Sequence, residues 1–183
     1  MAIPQILIAA ALAVSATSPD TPRTCSESGA YGIPFGAKPD KTAKRTAGGD
    51  ASVWYAVAAP APDSRFDRYL VRTDTKTGEI FQVDAVRTII PLERSESTTA
   101  AEREEAGSQS RGFALEFIAS LPDDMRERLI DKYGSSHWEA VIAETYLEIS
   151  AGTAWDVTVS CRDLRREQEM GRRVWPELFG PSR

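Results

Sequence analysis

The chain has 183 residues, a formal net charge of −5 and a sequence pI of about 5.1. A chain of this length can form one domain that buries a sizeable hydrophobic core, and it is short for two domains. Its mildly acidic balance lacks the basic patch of nucleic-acid-binding proteins and of proteins that bind anionic membranes, so neither class is expected.

The first residues form a short apolar run. Residues Ile3 to Val14 carry no charged side chain, and this run of about twelve residues is short of the roughly twenty that a membrane-spanning helix needs. Small residues at Ser15 and Ala16 and then a polar stretch follow it, which is the order of a cleavable secretory signal. We therefore predict a signal peptide over residues 1–16, a periplasmic or secreted protein, and no membrane span after removal of the signal. A buried N-terminal helix or strand is the alternative.

The composition and the two cysteines support export. Asparagine is absent, arginine outnumbers lysine and alanine is abundant, a bias that we associate with GC-rich bacterial genomes. In an oxidising compartment, two cysteines more often form a disulfide than remain as free thiols. We predict a disulfide between Cys25 and Cys161, which would stabilise the fold by roughly 5 kcal/mol in the chain-entropy account. A catalytic thiol is disfavoured because His137 is the only histidine in the chain.

The domain boundaries follow from a change in composition near residue 52. Residues 17–51 are rich in Gly, Pro, Ser, Thr and Lys, which predicts an irregular N-terminal segment. In it, Tyr31, Ile33 and Phe35 alternate and can hold one short extended piece on the domain, while Lys38 to Arg45 form a mobile loop. Residues 52–183 are predicted to form a single α+β domain.

Residues 52–90 show the period of two that is typical of strands. A first strand around Val53 and Tyr55 ends at Pro60, and a second contains Tyr69 and Val71. The stretch from Asp74 to Gly78 is a hairpin signal, because glycine accepts the positive φ that such turns require. We predict a three-stranded antiparallel β-meander.

The apolar period then changes to that of helices. Thr99 and Glu102 have the spacing of a capping box at a helix start, which predicts a helix over residues 99–121. Ser120 and Asp123 suggest a second capping box, and Gly134 a stop, for a helix over residues 122–133. The two helices are predicted to form an αα-hairpin that packs against the meander.

The C-terminal third is predicted to hold a β-hairpin or a strand. Residues 155–161 alternate strongly as a strand, whereas residues 138–149 fit both a strand and a helix. The turn-forming residues 150–153 favour the hairpin. A charged helical turn or two follows, and then a tail that is expected to dock through four apolar residues. These are Val174, Trp175, Leu178 and Phe179.

No residue pattern predicts a catalytic, metal or cofactor site. A loop position after a helix is the expected place of His137, since no G-x-S-x-G motif and no zinc-ligand spacing is present. Glu144 and Glu148 are the best acid/base pair, but residues four apart on a strand are too distant for paired-carboxylate chemistry, and only a helix would bring them close. A solvated strand face is the simpler interpretation of both glutamates. The N-terminal glycines do not match a phosphate-binding loop.

A binding role is the favoured function. Trp54 lies on the strand face opposite Tyr55, where it is either buried by a second layer or exposed in a binding surface. Together with Trp175 in the tail, it is our candidate binding surface. We expect a non-enzymatic binding or accessory module of the bacterial envelope, with an unidentified envelope protein or ligand as partner. The alternative is a small periplasmic hydrolase acting on cell-wall or small-molecule substrates.

Overall fold

The computed structural model describes residues 24–91, 97–134, 136–151 and 155–179. The predicted signal peptide lies outside these residues. The strands are β1 Gly29–Ala30, β2 Ile33–Pro34, β3 Lys44–Gly48, β4 Ser52–Val57, β5 Arg68–Asp74, β6 Ile80–Thr88, β7 Ile130–Asp131, β8 His137–Ile142, β9 Thr145–Ser150 and β10 Asp156–Asp163. The helices are α1 Ala100–Ala119, α2 Asp123–Arg126, α3 Leu164–Val174 and α4 Pro176–Phe179. Within this part of the chain, no helix is long and apolar enough to cross a bilayer.

Strands β3 to β10 form one antiparallel sheet of eight strands, and β1 and β2 form a separate small hairpin. The order in the large sheet is β3-β4-β5-β6-β10-β9-β8-β7. The chain therefore runs as a four-stranded meander, crosses through α1, and adds a second four-stranded half whose last strand pairs with β6. This confirms the predicted α+β class.

One face of the sheet carries the hydrophobic core. Alternate residues of the central strands, such as Val71, Val83, Leu147 and Val159, are fully buried there, as expected for strands with one face on a core. Helix α1 contributes Phe117 to the same cluster. Burial of these apolar side chains is the main source of stability.

The N-terminal segment is held on this core. Cys25 forms a disulfide with Cys161 of β10, and their Cα atoms are 5.7 Å apart, which confirms the predicted pairing. Tyr31 is completely buried, with its ring centroid 5.1 Å from that of Tyr69 and 5.9 Å from that of Phe66. The β1–β2 hairpin thus covers part of the sheet.

The predicted start of regular structure near Ser52 is wrong, because strands β1, β2 and β3 precede it. Strand β3 pairs with β4 although all of its residues are exposed. Its sequence, with Lys44 and Arg45 at the start and Gly48 at the end, has no apolar alternation, because an exposed edge strand needs none. Pairing with β4 specifies this strand. Lys44 and Arg45, the last residues of the predicted mobile loop, belong to it, so the loop prediction is wrong for these two residues.

The first helix begins as predicted, and the second is much shorter. Thr99 and Glu102 form the capping box at the start of α1. Ser120 belongs to the end of α1, where its hydroxyl donates to the Phe117 carbonyl, so it does not cap a second helix. Helix α2 ends at Arg126, and the chain then enters β7, which pairs with β8. The predicted helix over residues 122–133 is therefore wrong beyond its first turn.

Residues 137–150 form two strands and not a helix. Strands β8 and β9 pair through a turn at Ala143, whose φ of 54° is left-handed, and Glu144. Residues 138–149, which in the sequence fit both a strand and a helix, are therefore strand on either side of this turn. The β9–β10 hairpin is as predicted, and residues 152–154 of its connection lie outside the described part of the chain.

Helix α3 docks the C-terminal part on one end of the sheet. Its Met170 is buried against Ala51 and Phe81, and Val174 packs on the same cluster. Leu178 is 74% exposed, so docking through this residue is wrong. The side chain of Phe179 lies outside the described structure.

Candidate ligand groove on the polar face of the sheet

The sheet face opposite the core, which we call the polar face, carries the candidate site. Strand register places Trp54 of β4 directly opposite Arg72 of β5, and Arg72 opposite Gln82 of β6. Gln82 in turn lies opposite Arg162 of β10, which lies opposite Tyr146 of β9. One row of aromatic, guanidinium and amide groups thus crosses the sheet.

At one end of this row is an open groove with a volume of about 780 Å³. Residues 47–52, from the end of β3 through the turn to the start of β4, line one side, and Val174 and Trp175 at the end of α3 line the other. Trp54 and Arg72 of the sheet also line it. The structure thus brings both predicted tryptophans to one groove, with Trp54 half-buried and Trp175 42% exposed.

Arg72 is held in a fixed position within this groove. Its Nε donates a hydrogen bond to Ser52 Oγ at 2.8 Å. Its guanidinium carbon lies 5.5 Å from the ring centroid of Trp54 and 5.5 Å from that of Phe81. Both distances are within the range of cation–π attraction.

Phe81 reaches the polar face because of a β-bulge. Thr73 pairs with Ile80 while Arg72 pairs with Gln82, so Phe81 has no partner on β5. Such an extra residue disturbs the alternation of side chains. Phe81 therefore packs beside Arg72 and under Met170 of α3, and it does not enter the main core.

The electrostatic environment of Arg72 differs from that of the other half-buried arginines. Arg65, Arg87, Arg162 and Arg166 each have a carboxylate oxygen within 4.0 Å. Among the described residues, Arg72 has no such partner. In the part of the chain that the structure describes, Arg72 is therefore the half-buried arginine whose guanidinium makes no ion pair.

The centre of the polar face is occupied by a buried carboxyl group. Asp84 lies opposite Ser160, and Ser160 lies opposite Glu148. Burial raises the pKa of Asp84 to about 6, although hydrogen bonds from Gln82 and Ser160 oppose this shift. The Gln82 Nε2–Asp84 Oδ1 distance is 2.8 Å.

The other end of the face is a closed network of ion pairs. Arg162 binds Glu148 and lies 5.2 Å from the ring centroid of Tyr146. The Tyr146 hydroxyl donates to Glu139, which also pairs with Lys132 at 2.6 Å. These two contacts lower the pKa of Glu139, that from Lys132 more strongly. The charges here satisfy each other.

His137 and the two glutamates occupy positions different from those expected. His137 lies on β8, with Nδ1 3.9 Å from Glu148 Oε1, so its predicted loop position is wrong. Glu144 is in the exposed β8–β9 turn near Arg165, whereas Glu148 lies on β9 and pairs with Arg162. The two glutamates therefore have separate surroundings.

Sequence reasoning missed Arg72 and Phe81. The position of Arg72 can in principle be predicted from the sequence. A hairpin between β4 and β5 that puts Tyr55 opposite Val71 also puts Trp54 opposite Arg72. The position of Phe81 depends on a bulge, for which the sequence contains no glycine or other signal at that point.

Neither a metal-binding cluster among the described residues nor a likeness to known proteins assigns a function to the chain. Across residues 24–91, 97–134, 136–151 and 155–179, no group of three or more His, Cys, Asp or Glu side chains is arranged to hold a metal ion. The chain matches no protein-family model, no curated protein and no solved structure at a significant level. Its function is therefore inferred from the groove.

Proposed function

We propose that the protein is an exported, non-enzymatic binding module of the bacterial envelope that takes its ligand in the groove between Trp54 and Trp175. The observation that carries the proposal is the convergence of these two indoles on one groove with Arg72. Tryptophan and arginine are the residues that contribute most often to binding energy, and mixed apolar grooves with a few polar groups are typical ligand sites.

Preorganisation of the groove supports this role. The Ser52 hydrogen bond and the two aromatic rings hold the Arg72 side chain before any ligand arrives. A side chain that is already ordered costs little conformational entropy on binding, so more of the contact energy appears as affinity.

Export is supported by two features of the chain. The short apolar run at the N-terminus has the order of a signal peptide. The disulfide between Cys25 and Cys161 suits an oxidising compartment.

The alternative of a hydrolase has one feature in its favour, the raised pKa of Asp84 near Glu148. Perturbed carboxyl groups occur in active sites, but buried structural networks produce them as well. Asp84 is 6% exposed and bonded to Gln82 and Ser160. A buried network position favours the structural interpretation.

Crosslinking in the native envelope tests the proposal. We expect Trp54→Ala and Trp175→Ala each to reduce the recovery of a partner or ligand that wild type captures. Leu178→Ala is the matched control, because Leu178 is an exposed apolar residue of the same tail that does not line the groove. Thermal unfolding of each variant confirms that it is folded.

Two results would contradict the proposal. Unchanged capture by both tryptophan variants would exclude the groove. Hydrolysis of cell-wall material by wild type that is lost in Asp84→Asn or Glu148→Gln would assign the protein to the hydrolases.

A further inference from the structure

We infer that the ligand of the groove carries one carboxylate on an apolar body, and that this carboxylate pairs with Arg72. The inference depends on the proposed function and specifies the chemistry of the ligand. It comes from the hydrogen bonding of Arg72, from the charges that line the groove and from the apolar walls.

The two terminal nitrogens of Arg72 are the part of its guanidinium that remains available to a ligand. Its Nε is bonded to Ser52, and its guanidinium carbon lies 5.5 Å from the ring centroids of Trp54 and Phe81. Its two terminal nitrogens make no hydrogen bond to any described residue. A guanidinium edge presents two parallel N–H donors, which matches the two oxygens of a carboxylate.

A half-buried cation without a counterion gains from an anionic ligand. Partial removal from water weakens the hydration of Arg72, so the free energy of an added ion pair is larger than at an exposed arginine. Elsewhere in the described structure, the half-buried arginines form ion pairs with carboxylates. These arginines are Arg65, Arg87, Arg162 and Arg166.

The remaining lining favours a monoanion. Asp50 is the other charged residue that lines the groove, so the lining has no net charge although Asp50 and Arg72 form no ion pair with each other. A phosphate dianion at Arg72 would leave excess negative charge next to Asp50, whereas a carboxylate would leave less. Arg45, whose guanidinium lies beside Gly48, is exposed and more strongly screened by salt.

The walls favour an apolar body next to the carboxylate. Trp54, Val174 and Trp175 present large apolar side chains, and Ala47 and Ala51 add small ones. The volume of about 780 Å³ suits a small organic molecule or the end of a peptide.

Binding of matched probes to the full mature chain tests the inference. The probes are 4-phenylbutyrate, its neutral amide and 3-phenylpropyl phosphate, titrated by calorimetry or tryptophan fluorescence. We expect the acid to bind wild type about tenfold more tightly than the amide, the gain of one charge-assisted contact. Arg72→Gln should abolish this difference, whereas Arg72→Lys should retain part of it.

Arg68→Gln is the matched control, because Arg68 lies on the same strand and face but pairs with Asp156. It should keep the preference for the acid, and Arg45→Gln should reduce it only at low salt. A tripeptide ending in Phe with a free carboxylate, compared with its amidated form, separates a peptide terminus from a small acid as the source. A preference for either carboxylate source supports the inference.

The inference is overturned if acid and amide bind equally, if Arg72→Gln keeps the difference, if the phosphate binds more tightly than the acid, or if no probe binds at millimolar concentration. Equal binding of acid and amide that Trp54→Ala abolishes would leave the proposed groove in place and remove only the carboxylate. The capture experiment judges the groove independently of these probes.

Discussion

Cys25 and Cys161 join the N-terminal segment to an interior strand of the sheet, across a sequence separation of 136 residues. A crosslink that closes so long a loop restricts the unfolded chain strongly. We expect the double variant Cys25→Ser, Cys161→Ser to lose about 5 kcal/mol of unfolding free energy in the chain-entropy account. Urea denaturation measures the loss, and reduced wild type should match the variant. A loss below about 1 kcal/mol would contradict the expected role of the disulfide.

Asp84 predicts a stability that falls between weakly acidic and neutral pH. Its pKa is about 6 in the folded protein and about 4 when unfolded. Between these values the folded state binds more protons, so stability decreases as the pH rises and is lowest above the folded pKa. Relative to Asp84→Asn, wild type should lose about 2 kcal/mol from about pH 4.5 to about pH 7.5.

Urea denaturation of both proteins at the two pH values measures this difference. Asp124→Asn, which changes an exposed carboxyl group of α2, is the control and should stay parallel to wild type. A constant difference between wild type and Asp84→Asn across this range would show that Asp84 has an ordinary pKa in the folded protein.

Tyr31 predicts a stabilising substitution. Its ring is completely buried, and its hydroxyl has no hydrogen-bond partner among the described residues. Because an unsatisfied buried hydroxyl costs free energy, Tyr31→Phe should raise the unfolding free energy by about 1 kcal/mol. Tyr69→Phe is the control, since the Tyr69 hydroxyl both accepts from the Asp63 amide and donates to the Asp63 carbonyl. Tyr69→Phe should lower the unfolding free energy by about 1 kcal/mol. A change of the same sign in both variants would contradict the difference between an unsatisfied and a satisfied hydroxyl.

Ala143 predicts a second stabilising substitution, in the β8–β9 turn. Its φ of 54° is unfavourable for alanine, and glycine adopts it freely. Ala143→Gly should raise the midpoint of thermal unfolding, with a gain of about 0.5 kcal/mol after the entropy cost of glycine. Ala56→Gly in strand β4 should have the opposite sign. A destabilised Ala143→Gly protein would contradict the left-handed turn.

Apart from the Cys25–Cys161 disulfide, which follows from the presence of two cysteines in a chain predicted to be exported, the features that sequence reasoning predicted correctly are those with a local chemical cause. Thr99 and Glu102 satisfy each other's backbone amides within one turn, so their spacing alone predicts the start of α1. The alternation of Val157, Val159 and Cys161 likewise predicts a strand, because one face must be buried.

The features that it missed depend on pairing between distant residues. Residues 130–131 look helical in sequence, yet they pair with Glu139 and Trp138 of β8. Prediction of the groove requires three features at once, namely the register of β4 and β5, the bulge at Phe81 and the docking of α3. Trp54 and Trp175 are candidates in the sequence because each is a large apolar residue, but their proximity is not predictable from either segment alone.

The pairing of β6 with β10, which joins the two halves of the sheet and which we call the seam, has a consequence for the order of folding. Each half of the sheet is built from neighbouring strands in sequence, whereas the seam pairs Thr88 with Asp156 across the whole of α1. To bring residues so distant in sequence together, the chain must lose loop-closure entropy before any stabilising contact forms between them. The two hairpin halves can therefore form early and separately. The polar face, and Arg162 beside Gln82 with it, becomes continuous only when the halves join.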